Sequence, residues 1–420
     1  MNFIDLFAGA GGLSEGFIRQ GFEPIAHIEM DRYASLTLKT RAAFHYLKEH
    51  EKLEIYHAYL RGEIDQSKLY SEVDAKVLNT IMNMEISDST IEEIFRTIDD
   101  NLKEKGISSI DVLIGGPPCQ AYSLVGRARD PYKKENDPRN YLYQQYVKFL
   151  EKYEPKLFLF ENVPGILTAG KGHLFEDVKR IMDESGYSIE AKVLDASSFG
   201  VLQKRKRVIL VGWKKGINLF YPEFNEISHN FLVNDLLSDL PVLNPGETKD
   251  YHYHSSPNQY LMDFGIRDEN DILVQHISRS HNSRDREIYK SAIKKWNTEK
   301  KRLKYTDVPE GERTHKNVTS FLDRFKVVAG DIGYSHTMVA HIAKDGHYYI
   351  HPDINQLRSL SVREAARIQS FPDNFYFEGP RTAVFTQIGN AVPPLMAENI
   401  AKEISLLLQG KLPRQIELTI

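Results

Sequence analysis

The stretch that most constrains this chain lies at its start, Asn2-Phe-Ile-Asp-Leu-Phe-Ala-Gly-Ala-Gly-Gly12. Phe3–Phe7 is apolar and reads as a strand. A glycine-rich turn follows, then a helical pattern to about Gln20, with Gly21 placed to end it. A strand that passes through such a turn into a helix commits a chain to β-α units and a parallel sheet. The rhythm continues with a strand at Glu23–Ile28 and a helix capped by Asp31. Further strands are expected at Asp111–Ile114, Leu157–Phe160, Ile189–Leu194 and Val208–Val211. Lys156-Leu-Phe-Leu-Phe160 is apolar without alternation, as a strand covered on both faces should be. The expected class is α/β.

The turn Asp5-Leu-Phe-Ala-Gly-Ala-Gly-Gly12 lets backbone approach a ligand closely and points helix N-terminal amides towards it. Glu29, near the end of the second strand, is placed to hold ribose hydroxyls. A dinucleotide fingerprint would require glycine at position 14, where Ser14 stands, so an adenosine-type cofactor without pyrophosphate fits better than NAD. On these residues alone a tight turn without a ligand stays open.

Two regions break the rhythm. Residues 41–110 carry nine Lys and Arg against fourteen Asp and Glu, and read as an acidic, helical insertion between sheet elements. From about Lys214 to Gln356 aromatic and basic residues mix, and residues 271–330 hold fourteen Lys and Arg against eight Asp and Glu. The net charge of −4 over 420 residues therefore conceals a basic segment behind an acidic one. The expected organisation is 1–213 (with 41–110 inserted), a second domain over 214–355, and a return to the first over 356–420. In that return, Ser361-Val-Arg-Glu364 has the form of a capping box, and an amphipathic helix is expected over about Pro394–Leu408. No apolar run is long enough to span a membrane, the start lacks the pattern of a secretory signal, and a single cysteine excludes an internal disulfide; these point to the cytoplasm.

That cysteine stands in Asp111-Val-Leu-Ile-Gly-Gly-Pro-Pro-Cys-Gln120, a strand running into a rigid turn that presents one thiol. Two prolines preset the backbone and two glycines admit a flat substrate. A structural cysteine belongs inside an apolar run, so its position favours reactivity.

With these motifs in view the chain resembles the DNA cytosine-5 methyltransferases of prokaryotic type. The resemblance rests on DLFAGAGG (5–12), GGPPCQAYS (115–123), Asp137-Pro-Arg139-Asn, Glu161-Asn162-Val163, Gln203-Lys-Arg205-Lys-Arg207, RSLSVREAARIQSFP (358–372) and QIGNAVPP (387–394), in the family's order. It implies a Rossmann-like S-adenosylmethionine-dependent methyltransferase sheet with a smaller target recognition domain over 214–355. It also implies transfer of a methyl group to carbon 5 of a cytosine flipped out of duplex DNA. Cys119 then adds to carbon 6 as the covalent nucleophile, Glu161 serves ring nitrogen 3, and Arg205 stabilises charge at the carbonyl oxygen. By the same resemblance Phe7 packs on adenine and Glu29 holds the ribose. Gly9 and Gly11 shape the turn, and Asn390 with Val392 closes the methionine end as a C-terminal strand. Pro118, Arg127 and Arg207 face DNA, and the loop Ala121–Asn140 closes over it. The family's acidic contact to the adenine amine has its candidate in Asn83-Met-Glu85-Ile-Ser-Asp88. The basic stretch Lys294–Lys304, with Trp296 and Tyr305, fits either DNA contact or a solvated helix face.

The resemblance further implies a cytoplasmic, nucleoid-associated monomer that acts in restriction-modification, with a cognate endonuclease as the expected partner besides DNA. Histidines at 315, 336, 341, 347 and 351 lack metal-site spacing, and no metal is expected. The rival readings are a tRNA cytosine-5 methyltransferase, a catalytically silent DNA-binding regulator and a Rossmann oxidoreductase. The roughly 140 residues between the basic motif and RSLSVREAARIQ argue against the first. Joint retention of Cys119, Glu161 and Arg205 argues against the second, and Ser14 against the third.

Overall fold

The computed structural model describes residues 1–118, 142–314, 317–319 and 321–412. Seven strands form one sheet: β1 (Asn2–Leu6), β2 (Glu23–Glu29), β3 (Ile81–Asn83), β4 (Val112–Gly115), β5 (Leu157–Asn162), β6 (Tyr187–Asp195) and β7 (Lys206–Lys214). Their order is β3-β2-β1-β4-β5-β7-β6. The first five run parallel, and β7 returns antiparallel between β5 and β6. This reversal has a functional result. The carboxyl ends of β1, β2, β4 and β5 share one edge of the sheet, where α/β proteins bind ligands, and β7 brings its first residues to that same edge.

The strands are buried because helices cover both faces. On one face α1 (Gly12–Arg19) packs beneath the C-terminal return. On the other lie α6 (Ile91–Lys105), α7 (Leu142–Tyr153) and α8 (His173–Glu184). Each presents its apolar residues at helical spacing, as Ile91, Ile94 and Ile98 do on α6. Asp31 caps α2 (Arg32–Glu49) by accepting from the Ala34 amide at 2.8 Å.

The acidic region 41–110 is not one insertion. Its first part continues α2, and its last part supplies β3 and α6 of the main body. The appendage proper is α3 (Leu53–Leu60), α4 (Gln66–Ser71) and α5 (Ala75–Leu78). Their apolar residues Tyr56, Leu60, Leu69 and Val73 close on Phe44, Leu47 and Val274. Polar side chains bind the appendage to the C-terminal return: Tyr56 donates to the Asn374 carbonyl at 2.8 Å and Tyr59 to Glu378 at 2.7 Å.

The middle region likewise divides differently from the expected 214–355 block. Tyr221, Val233, Leu236, Tyr260, Leu261, Val328, Met338 and Tyr349 all join the main core. A separate core forms only around α10 (Ser283–Glu299), from Ile288, Tyr289, Ala292, Ile293, Leu303, Tyr305, Phe325, Val327 and Ile350. Preceding it is the short α9 (Gln259–Asp263). The aromatic residues that blurred the sequence pattern are thus shared between two cores.

The return consists of α11 (Val362–Ile368), α12 (Arg381–Asn390) and α13 (Pro394–Leu408). The capping box at Ser361 and Glu364 forms, with the Glu364 amide donating to Ser361 Oγ at 3.1 Å and the Ser361 amide to the Glu364 carboxylate at 2.7 Å. Three fully buried arginines staple this helix to the middle region. Arg358 binds Glu364 through two nitrogens, Arg367 binds Asp239 and Asp373, and Arg363 donates to the carbonyls of Val274, Pro372 and Phe375. Breaking one partner of such a pair leaves an uncompensated buried charge, at a cost of about 3–5 kcal/mol. Among the described residues no helix is long and apolar enough to cross a membrane.

Candidate active site

The ligand edge is built from four strand ends. After β1, Phe7 takes a left-handed conformation (φ 57°), an arrangement that costs energy in a bulky residue and marks functional turns. The backbone then folds back so that the Gly9 amide donates to Glu29 Oε2 at 2.8 Å, while Asp31's amide donates to Oε1 at 2.7 Å. Glu29 is therefore fixed at the rim, and burial pushes its pKa up. Gly12 is required by close approach: a Cβ there would stand 2.2 Å from the Val392 carbonyl oxygen. That contact brings Val392 against the glycine turn. Asn390 ends α12 and Val392 lies in the turn before α13, so the C-terminal strand expected there is instead a helix-to-helix turn.

Two residues near this turn were absent from the sequence reading. Asp5 is buried beside α1, its Oδ2 has no hydrogen-bond partner, and desolvation holds its pKa well above the ordinary carboxylate value. A buried carboxylate under a glycine turn, held by Ser14 but with one oxygen left unpaired, fits a ligand carrying an ammonium group. Met30, directly after Glu29, is 63% exposed although apolar. The acidic position of Asp5 within the glycine motif was the available signal. Within the candidate stretch for the adenine amine, Asn83 is turned away, donating at 3.0 Å to the carbonyls of Glu29 and Met30. Asp88 is held by Gln145 and Lys148. An adenosine-type cofactor thus fits the residues present: a fixed ribose-side carboxylate, an open glycine turn and a buried carboxylate with one oxygen unpaired.

Along the same edge β4 ends in Gly115-Gly-Pro-Pro118, with Pro118 half-buried. A Cβ on Gly116 would stand 2.6 Å from Glu161 Oε2, so the cysteine turn and the Glu161 carboxylate touch. Asn162 ties them again, donating to the Pro117 carbonyl at 3.3 Å. Cys119, Arg127 and the loop Ala121–Asn140 lie outside the described residues.

The basic motif also reaches this edge, and its two arginines are placed differently. Lys204, Arg205, Lys206 and Arg207 alternate between exposed and buried, as an extended chain dictates. Arg207, expected at DNA, places Nε 2.7 Å from Glu161 Oε1, with both side chains largely enclosed. Arg205, expected at the reacting base, is fully buried and spent on backbone. It donates to the carbonyls of Met338, Gly389 (3.1 Å) and Ala391 (2.8 Å). The reason is topological: at position 205 the chain is clasped by residues 335–338, with Lys204's amide donating to the Ser335 carbonyl at 3.0 Å and Gln203 Oε1 accepting from the Met338 amide at 2.6 Å. Two arginines in one motif cannot be told apart until that clasp is seen.

The basic stretch of the middle region is largely neutralised within the protein. Lys295 pairs with Asp307 at 2.6 Å, Lys304 with Asp323 at 2.6 Å, and both Lys300 and Trp296 bind Asp331. His336, His347 and His351 are partners of protein groups: the Tyr348 carbonyl, the Tyr289 hydroxyl and the Asp353 amide respectively. His315 lies outside the described residues. Among the described residues no cluster of three or more potential ligands could hold a metal ion.

Comparison with known proteins agrees with this geometry. A family profile described as C-5 cytosine-specific DNA methylase matches residues 1–66 and 69–406. The chain is 44% identical to the Type II methyltransferase M.Bpa9945I of Bacillus paralicheniformis, over 98% of this chain and all of that protein. It is 30% identical to M.DdeI of Desulfomicrobium norvegicum, over 96% of this chain and 88% of the other. Among solved structures, a prophage-encoded DNA modification methyltransferase of E. coli superposes with a TM-score of 0.63 at 23% identity, covering 97% and 99% of the two chains, which supports the shared fold.

Proposed function

This chain belongs to the C-5 cytosine-specific DNA methylase family, and on that premise we propose that Cys119, Glu161 and Arg207 carry its reaction, with Arg205 as their scaffold. The enzyme methylates carbon 5 of cytosine in DNA through the covalent cysteine adduct general to the family. S-adenosylmethionine, when bound, supplies an electrophilic methyl group.

The observation that carries the assignment is the Glu161–Arg207 pair, 2.7 Å apart and touching Gly116, three residues before the only cysteine. In this reading the Cys119 thiolate forms a bond to carbon 6 of the flipped cytosine, and the electron pair of the 5,6 double bond moves into the ring. Charge that develops at nitrogen 3 and the carbonyl oxygen falls where Glu161 and Arg207 converge, and preorganised groups of this kind stabilise it without reorganisation. Carbon 5 then takes the methyl group, a base removes its proton, and the returning electron pair expels the thiolate. Pro118 presets the approach of the thiol, and Arg127 meets phosphate as the duplex is engaged.

On the cofactor side, Glu29 holds the ribose, Phe7 and Met30 border adenine, and Gly9 and Gly11 keep the turn open. Asp5 faces the ammonium end, which Asn390 and Val392 close. Glu85, the exposed acid left between Asn83 and Asp88, serves the adenine amine.

The test is transfer of tritium from labelled S-adenosylmethionine to duplex DNA or to tRNA, repeated with Cys119→Ser. Label in DNA only, lost in the variant, together with a covalent complex on 5-fluorocytosine DNA that requires Cys119, is the expected result. Label in tRNA only, or undiminished label in the variant, would overturn it. The relatives named Type II methyltransferases further support a role in restriction-modification, beside a cognate endonuclease, as a monomer on cytoplasmic nucleoid DNA. Sedimentation as a stable dimer, or host DNA lacking 5-methylcytosine on bisulfite sequencing, would contradict that role.

A further inference from the structure

Arg302, Lys304 and Lys326 crowd together beside the clasp that holds the basic motif. Lys326 Nζ sits 5.6 Å from the centre of the Tyr348 ring, and the Tyr348 carbonyl accepts from His336. His336 begins the stretch whose next residues grip Lys204 and Arg205: Thr337 donates to the Lys204 carbonyl at 2.6 Å, and Met338's carbonyl takes Arg205. Residue 335 bridges Gln203 in parallel fashion, a separation of about 4.8 Å. The cluster is thus joined to the motif that ends in Arg207 through Tyr348 and His336.

Its charge is not balanced. Arg302, Lys304, Arg324 and Lys326 face two carboxylates, and both are taken: Asp323 by Lys304 at 2.6 Å and Asp345 by Arg324 at 2.9 Å. Arg302 and Lys326 have no ion-pair partner among the described residues, and Arg302 is exposed. Lys326 is half-buried, and burial first, then repulsion from Arg302, pulls its pKa down against the attraction of Asp323. Lys204, held through its carbonyl by Thr337, is exposed and likewise without an ion pair among the described residues. Lys295 and Lys300 each meet an aspartate of their own; here Asp323 is the shared counter-charge of Arg302, Lys304 and Lys326, and positive charge is left over among the described residues.

We propose that Arg302 and Lys326, together with Lys204, form a seat for the phosphodiester backbone of the substrate duplex, holding it in register with the Glu161–Arg207 pair. The proposal rests on the methyltransferase reading above. Phosphate contacts position a duplex without reading its sequence, so this seat acts alike on all DNA.

The experiment measures duplex affinity against salt for the full chain, using one duplex that contains the methylated sequence and one alternating dA·dT duplex without cytosine. Each phosphate neutralised contributes about 0.9 to the slope of log affinity on log salt. Arg302→Gln and Lys326→Gln should each flatten the slope by about 1, and the double variant by about 2, on both duplexes. Lys326→Arg should keep the slope, and Lys103→Gln on α6 should leave it unmoved. The double variant should melt no lower than the wild type, since it removes repulsion rather than a contact. An unchanged slope in the double variant, a loss confined to the cytosine-bearing duplex, or calorimetric binding of inorganic phosphate without any change of slope would overturn the proposal. An active wild type with an unmoved slope overturns this inference alone; a wild type that transfers no methyl group to DNA overturns the function and the inference together.

Discussion

Arg207 Nε stands 2.7 Å from Glu161 Oε1, joining the start of β7 to the end of β5 at the ligand edge. Arg205, two residues earlier, is fully buried and gives Nη1 and Nη2 to three carbonyls, leaving only a buried Nε unpaired. The two arginines should therefore separate by experiment. Arg207→Gln should keep its melting temperature within a few degrees and lose roughly 10²–10³ in single-turnover methylation, the range for removing one preorganised donor. Arg205→Gln should lose several kcal/mol of stability, at about 1–3 kcal/mol for each buried carbonyl left unmade. The reverse pattern in paired thermal and kinetic measurements would return the catalytic role to Arg205.

Gly116 allows the cysteine turn to lie against Glu161. Gly116→Ala places a methyl carbon 2.6 Å from Glu161 Oε2, too close for contact, so the carboxylate must move by about an ångström, a displacement that can cost about 10²-fold in rate. The expected outcome is a large fall in kcat with little change in cofactor affinity by calorimetry. Unaltered kcat would show that Glu161 does not need its present position.

Asp5 predicts two effects of opposite sign. Burial raises its pKa, so the apoprotein loses stability as pH rises through and beyond the ordinary carboxylate range. Asp5→Asn should raise the melting temperature of the apoprotein and, by removing the partner of the cofactor's ammonium group, weaken S-adenosylmethionine binding about tenfold or more, or about 1.4 kcal/mol. Thermal shift with and without cofactor measures both. A variant that binds cofactor as tightly as the wild type would sink the role.

Five buried histidines of the middle and returning segments give the protein an acid limit. His276, His336, His347 and His351 are pushed down to about 4 and His281 to about 3, each chiefly by burial. A histidine whose folded pKa lies below its unfolded value binds fewer protons when folded. Its stabilising contribution is complete above about 6.5 and is lost as pH falls towards 4. Urea midpoints should fall steeply between pH 6.5 and 5, with a slope of at most about 1.4 kcal/mol per pH unit for each histidine. His276→Gln should make that slope shallower; an unchanged profile would refute the assignment of His276.

The sheet and its ligand edge were legible in sequence because parallel strands buried on both faces read as continuous apolar runs, and because glycine turns and caps act locally. Asp31 and the Ser361 box fell where they were read. What escaped depends on distant chain. That Arg205 turns into backbone while Arg207 meets Glu161 depends on carbonyls of residues 338, 389 and 391. Asp5 looked like an ordinary strand residue until its missing partner was visible. The basic stretch 294–304 fits either DNA contact or a solvated helix face in sequence, and only the fold shows Asp307, Asp323 and Asp331 matching Lys295, Lys304 and Lys300 within it. Net charge along a sequence does not tell which charges are already matched.

The clasp on Arg205 has an evolutionary consequence. One guanidinium gathers backbone from the middle segment, from the end of α12 and from the residue after it, and it asks only for carbonyl oxygens, which every amino acid carries. The separate core around α10 takes no part in this clasp, so the surface of α10 can change in sequence while the backbone gathered by Arg205 keeps its path.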